Sequence, residues 1–411
     1  MLRIFYQKDK IKSTTMKSYL VGTIVLLLLG YFSGTGQNWE IQWENKLGSS
    51  KMDMFKTVIE VENGEFVVLG STCPEGRSDS DFWLMRFDSA GKLLWERTMG
   101  TEHNDIPESL ARFSDGGFIL AGKNYTDKDN TQAFLLKTDS TGTEVWQKML
   151  TDTNCKSADN VIVLEDDCIV VSGIIEPNGN DKNIWLAKFS DEGELIWEKT
   201  FGEKSDAGPG SLKVLPDGSI ALAGQVSQPG RADSDLWIFR FNNEGEKIWD
   251  TQVKTPGIKV WPECICCSPD SNLVAVGWYG TCMNDINSAE PIFDFDLFVT
   301  KMTPAGKVLY TRNIDSEGSE GGNAVVIRPD GKILLAGIKE TSFLGRIGPW
   351  LLLTDEQGKV LSELVLPFTF RGDQASGIIN TSDGGFVVVG PGLINPEITR
   401  SDGWIKKFKA F

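Results

Sequence analysis

The stretch SDGGFILAGKNYTDKDNTQAFLLKTDSTGTEVW, Ser114–Trp146, is one copy of a unit that the chain writes seven times. The glycine closing its apolar run recurs at Gly70, Gly122, Gly173, Gly224, Gly277, Gly337 and Gly390, with steps of 52, 51, 51, 53, 60 and 53 residues. An aromatic inside the next apolar run recurs at Trp83, Phe134, Trp185, Trp237, Phe298, Trp350 and Trp404. A third marker follows the first six of these by 12 residues: Trp95, Trp146, Trp197, Trp249, Tyr310, and Ser362, where the aromatic is lost. Self-similarity at this period is the mark of propellers and arrays, in which each unit buries its apolar faces against its neighbours.

Each unit reads as four short strands. The first is apolar and small-sided (Ser109–Phe113, Asn160–Leu164, Ala324–Arg328), and a Gly-containing hairpin turn follows it. The second is apolar throughout, as a strand covered on both faces must be. The third carries the aromatic and turns through Asp-x-x-Gly (Asp88–Gly91, Asp139–Gly142) into the fourth. No helical stripe of useful length follows residue 36. The 12-residue offset, centred on Ser89 for Trp83 and Trp95, predicts that the two aromatics face each other across the last two strands. Ten of the thirteen Trp residues occupy these two slots once Trp43 is counted, which assigns them to packing between units and not to ligand platforms.

The ends complement each other. The last copy stops after its third strand around Trp404, while Trp39–Leu47 resembles a fourth strand with no third before it. Pairing the two gives an all-β, seven-bladed propeller of four-stranded antiparallel blades, closed without a free edge.

Residues 1–36 stand apart. Basic residues Arg3 to Lys17, the apolar run Tyr19–Phe32 and small residues Ser33–Gly36 have the three parts of a secretory signal peptide. The apolar run is shorter than the ~20 residues that cross a bilayer. The expectation is therefore cleavage near Gly36, translation from Met1 or Met16, and a single exported domain over 37–411 without a membrane span. That domain would be secreted, periplasmic or on the cell surface. Cleavage removes five basic residues and one acidic one, taking the net charge from -16 to -20. Such a charge argues against nucleic acid and anionic membranes as partners. A monomer is expected. Seven cysteines in an exported chain invite bridges, and Cys264 with Cys282 is the pairing expected, since both are placed at one end of the fifth blade.

Sequence variation concentrates in the loops between second and third strands. In the fifth copy that loop spans Trp278–Asp296 and supplies the 60-residue step. Its Trp278, Tyr279, Phe293 and Phe295 suit stacking on a sugar or peptide, and Asp294 and Asp296 join them as candidate ligand-binding residues. Acidic pairs recur before the third strand (Asp79 with Asp81, Asp233 with Asp235, Asp294 with Asp296); they suit loop capping, and Ca²⁺ is the one ion they suggest, with no other metal or cofactor expected. His103 is the only histidine, which excludes three-His zinc sites and leaves a Ser-His-Asp triad only that loop residue. Carboxylate pairs that meet only in space are invisible at this level.

FDSAGKLLW (Phe87–Trp95) resembles the tryptophan-docking repeat of quinoprotein-type propellers, among them quinone-dependent dehydrogenases with a disulfide between adjacent cysteines; Cys266–Cys267 fall in a first strand, where neighbours point to opposite faces. TDSTGTEVW (Thr138–Trp146) is similar to a sialidase Asp box with longer spacing, and the mannose motif of bulb-type lectins is absent. IWLAKFSDEGELIWEKTFG (Ile184–Gly202) is most similar to the exported bacterial repeats, common in Bacteroidetes-like secretomes, written D-G-G-F-x-x-x-G, D-x-W-L-x-K-x-D-x-x-G, W-x-K-x-x-G. That resemblance implies fold and export more than chemistry. The functional expectation is a non-catalytic propeller that binds a protein or glycan on its loop-rich face. The alternative is an extracytoplasmic enzyme acting on glycans through carboxylates near the central channel, and a third reading is a cation-dependent adhesin.

Overall fold

A computed structural model describes residues 38–49, 52–74, 76–77, 79–126, 130–150, 157–177, 182–202, 205–228, 231–283, 293–315, 318–341, 346–368, 373–395 and 400–410. The strands form seven four-stranded antiparallel sheets, six of them from consecutive segments of chain. The seventh takes three strands from residues 377–408 and its outer strand, Ile41–Leu47, from the other end. Trp43 pairs with Lys407 and Leu47 with Gly403, so the ring is closed as the sequence predicts. We number the blades 1 to 7 from residue 54. Seven apolar clusters hold them together, each made of residues from two adjacent blades; one joins Leu84 and Phe82 of blade 1 to Leu110 and Phe134 of blade 2. Residues 1–36, read above as an export signal, lie outside the described residues.

The repeated glycine has a structural task that its hairpin position does not suggest. First strands are longer than expected (Asn104–Arg112 in blade 2, Ile258–Cys267 in blade 5) because a β-bulge lets pairing continue past the point where the apolar pattern breaks. The marker glycine sits opposite that bulge. A Cβ on Gly122 would run into the Ile106 carbonyl, and one on Gly277 into that of Trp261. In five blades the bulged residue stands 14 positions before the glycine, giving Lys56, Glu108, Gly210, Glu263 and Asn323, and the same count gives Asp159 and Ser376 just before the first strands of blades 3 and 7. All seven are on first strands or at their starts, the strands nearest the central axis.

The two aromatic series do not face each other. Register pairs Trp83 with Thr98 and Trp95 with Arg86, because the turn is centred on Ala90 and a bulge at Arg86/Phe87 adds one residue more, which together shift the partner by three. An odd shift reverses the face. Trp83 packs back on blade 7 and Trp95 forward on blade 2. Each fourth-strand aromatic therefore docks on the turn between third and fourth strands of the next blade, which opens on Asp, Ser, Asn or Thr and ends on Gly. Trp146 Nε1 donates to the Asp191 carbonyl at 3.1 Å, Trp249 to Pro304 at 3.0 Å, and the Tyr310 hydroxyl to Glu356 at 3.0 Å. The basic residue three after the third-strand aromatic donates to the same carbonyls: Lys137 at 3.0 Å, Arg240 at 2.7 Å, Lys301 at 3.4 Å. The turn glycine beneath, such as Gly193 at φ 81°, is kept bare both by its backbone angle and by the indole lying on it.

Blade 6 loses both prongs together, with Leu353 for the basic residue and Ser362 for the aromatic. The reason is topological: blade 7 has no turn between third and fourth strands to receive them. Trp39 enters from the other end of the chain and donates to Ser362 Oγ at 2.9 Å. The third-strand aromatics follow a second rule. Trp83, Trp185, Trp237 and Trp350 donate their indole N–H to Glu96, Glu198, Asp250 and Glu363 at 2.8 to 3.0 Å. Where the aromatic is Phe134 or Phe298, the corresponding fourth-strand residue is uncharged, Gln147 or Thr311. A buried N–H requires an acceptor, and a phenyl ring does not.

Candidate functional site

The residues at these seven positions converge on a central cavity of about 1030 Å³. Glu108 is its electrostatic hub, bound to Lys56 at 2.6 Å and to Lys123 at 2.8 Å. Enclosure by the protein works to raise the Glu108 carboxyl, but the two ammonium groups overcome it and hold the group below its ordinary value. Two further carboxylates behave oppositely. Asp159, which accepts from Ser157 Oγ at 2.7 Å, is lifted to about 6 by withdrawal from water and by the charge of Glu108, against the pull of Lys123. Glu263 keeps contact with channel water yet stands within the ring of first strands; that enclosure, with the charges of Glu108 and Asp159, lifts it to about 7 against the pull of Lys56. Three carboxylates from blades 2, 3 and 5 thus share one field and differ in proton affinity, which is how one site keeps an acid and a base at the same pH.

Above Glu263 on the same strand, toward the loop-rich mouth, blade 5 carries an aromatic wall. Its first three strands run ten residues each, and the second and third pair as far as Cys282 with Phe293. The two ends of the segment expected to be a loop over Trp278–Asp296 therefore pair as an extended hairpin, with Trp278, Phe293 and Phe295 half-buried on one face; residues 284–292 lie outside the described residues. Trp261 lies 5.1 Å from Phe295 and 6.5 Å from Phe293, and Trp278 lies 6.0 Å from Phe295. Trp261 and Trp278 both line the central cavity. Gly280 leaves room for this: a Cβ there would meet the Phe295 ring.

The alternation of the strand divides the six candidate residues. Trp278, Phe293 and Phe295 share the wall. Tyr279 and Asp296 are cross-strand partners on the opposite face, where Tyr279 packs against the core shared with blade 4. Asp296 accepts from Asn313 at 3.1 Å and is raised by burial and by Asp315 and Asp294; Asp294 meets Ser319 Oγ at 3.4 Å. The other acidic pairs are similarly engaged within the fold: Asp81 with Arg77 at 3.0 Å, Asp235 with the Thr255 N–H at 2.8 Å, Asp233 with the Gly257 N–H at 3.0 Å. Among the described residues no group of three or more His, Cys, Asp or Glu is arranged to hold a metal ion.

The Cys264–Cys282 bridge is not formed. Cys264 pairs with Val276 in the middle of its strand, six positions from Cys282, or roughly 20 Å at 3.4 Å per residue, against a limit of ~7 Å for a disulfide. The bulge let the first strand begin earlier than its apolar pattern does, which moved Cys264 away from the mouth. Cys266 and Cys267 pack in the cores toward blade 6 and blade 4 respectively, on opposite faces as expected.

Lys56, Glu108, Asp159, Glu263 and Trp261 were missed in the sequence, although one spacing finds the first four: each stands 14 residues before a marker glycine. The signal lacked a reason until the bulge supplied one.

No protein-family profile matches this chain. One curated relative, the regulatory protein FlaEY of Caulobacter vibrioides, is 22% identical over 205 residues, covering 44% of this chain. The match spans about a fifth of that protein, 21% of its length. Among solved structures the chain resembles the α-L-arabinofuranosidase Arb93A from Fusarium graminearum in complex with an iminosugar inhibitor (14% identity, 74% of this chain and 93% of that one, TM-score 0.51). It also resembles an α-L-arabinanase of Penicillium chrysogenum complexed with arabinobiose (13%, 90% and 98%, TM-score 0.52). A third is a polysaccharide lyase, an ulvan lyase bound to -[GlcA(1-4)Rha3S]- (10%, 89% and 96%, TM-score 0.57). Such low identities establish the shared propeller fold. Among the described residues no helix is long and apolar enough to cross a membrane.

Proposed function

We propose that the protein is an extracytoplasmic enzyme that cleaves glycosidic bonds at the mouth of its central channel, the reading that sequence alone ranked second. The observation that carries it is the meeting of Glu263, Asp159 and Glu108 below an aromatic wall, in a cavity of a size suited to a short saccharide. Glu263, protonated up to about pH 7, would donate a proton to the departing glycosidic oxygen. Asp159, ionised above about pH 6, would take the proton of the attacking water. Glu108 keeps Lys56 and Lys123 in place and so sets the field that separates the two. Water's hydroxyl joins the anomeric carbon as the C–O bond to the leaving group breaks; Asp159 then releases the proton it took to solvent, and Glu263 regains one from solvent. Support from outside the chain comes from the glycan-active enzymes that share this fold, taken as support only.

The test is a screen of the purified chain on neutral and acidic polysaccharides, with products read by size and by end group. New reducing ends without unsaturated sugars are expected. Unsaturated products would replace this assignment with an elimination, and the absence of any cleavage across the screen would return the protein to the binding-scaffold reading.

A further inference from the structure

Lys259 is the cation of the aromatic wall. Its ammonium lies 4.5 Å from the centre of the Trp261 ring and 5.8 Å from that of Phe293, on the strand face that also carries Trp278 and Phe295. Many lysines of this acidic chain are held in ion pairs, Lys56, Lys123, Lys188, Lys254, Lys339 and Lys406 among them. Lys259 is in none among the described residues. The carboxylate that acts on it, Asp206, is opposed by the like charge of Lys182. A half-buried ammonium, steered by two π faces and without a counter-ion, is a site prepared for an anion, because the ring faces fix its position and leave its donors unused.

We infer that the channel mouth takes an anionic saccharide, whose carboxylate or sulfate binds Lys259 while the sugar rings rest along the wall formed by Trp261 and Trp278. The inference rests on the glycan reading above and adds the substrate class to it. The net charge of -16 makes the assignment sharper: an acidic protein gains nothing by general attraction for an acidic glycan, so a local cation must supply the recognition. Lys259 is the cation held on the aromatic wall, and the preference is assigned to it.

The experiment is calorimetric titration of the full chain carrying Glu263→Gln, which keeps ligands intact, with three probes: an oligogalacturonate hexasaccharide, a sulfated carrageenan hexasaccharide and neutral arabinohexaose. At least one anionic probe is expected to bind about tenfold or more tighter than the neutral one, and more weakly as salt is raised. Lys259→Ala is expected to erase that preference while leaving neutral binding in place, and Lys259→Arg to retain it. The carboxylate and sulfate arms decide which anion is preferred. Equal binding of all three probes, a preference that survives Lys259→Ala, or equal weakening of all three by Lys259→Ala would each overturn the inference. Its failure is separable from that of the catalytic reading. Cleavage of neutral glycans alone sinks the anionic class and keeps the chemistry. Lys259-dependent binding with no cleavage by the wild-type chain does the reverse.

Discussion

Replacing Gly277 by Ala tests the link from repeat to site. The new Cβ would strike the Trp261 carbonyl and come within 2.8 Å of both the Phe298 ring and the Pro262 Cα. None of these is a flexible side-chain end, so the two strands must separate or the bulge at Glu263 must flatten. Overpacking of this kind costs about 1–3 kcal/mol. With an unfolding entropy of ~2.1 cal/mol/K per residue over roughly 370 residues, the melting temperature should fall by about 1–4 °C. The larger effect falls on the site. A flattened bulge slips the strand by one residue and turns Glu263 away from the cavity, so cleavage should drop by about 100-fold or more. Gly331→Ala is the control. It sits in a turn at φ 84° with open space around its Cβ, so it should cost a similar ~1–2 kcal/mol through backbone strain and leave cleavage unchanged. Scanning calorimetry and a product assay on the two variants decide. If Gly277→Ala matches the wild type in both, or loses no more activity than Gly331→Ala, the bulge does not place the site.

Three further outcomes rest on the same geometry. In blade 3, Glu198→Thr strands the buried Trp185 N–H and Trp185→Phe leaves a void, but the double variant recreates the Phe–Thr pairing of blade 5; a double-mutant cycle in urea should give a coupling of about 1–2 kcal/mol, and strict additivity would refute the acceptor rule. Cleavage against pH should be bell-shaped, rising as the group near 6 ionises and falling as the group near 7 loses its proton, with apparent values that belong to the cluster as a whole. Stability responds with its own sign. Glu263 has a folded value raised from 4.5 to about 7, so its contribution is full below about 4.5 and is lost as pH climbs through 7. Glu263→Gln should therefore melt higher than the wild type at pH 8 and not at pH 5; the opposite order would contradict the placement of this carboxyl.

Much of the architecture was written in the sequence because propeller blades repeat their constraints. Seven glycines, seven third-strand aromatics and an orphan fourth strand at the start gave the blade number and the closure. The missing aromatic at Ser362 was legible as an exception, but its cause required knowing that the docking runs between blades. The facing of Trp83 and Trp95 was misread because a symmetric hairpin was assumed where the turn shifts the register. For the site, Trp278, Phe293 and Phe295 were visible as composition, whereas Tyr279 and Asp296 were not separable from them until the strand extension fixed their faces. Glu108, Asp159 and Glu263 come from three blades and share in sequence only their place 14 residues before a marker glycine. Only the spatial meeting of first strands brings them together.

The most direct measurement is the turnover of Glu263→Gln at pH 6.5 on the polysaccharide that the wild-type chain cleaves. Loss of the proton donor should lower kcat by about 10²–10⁴ with the melting temperature preserved. Turnover within threefold of the wild type would show that the channel carboxylate takes no part in the reaction.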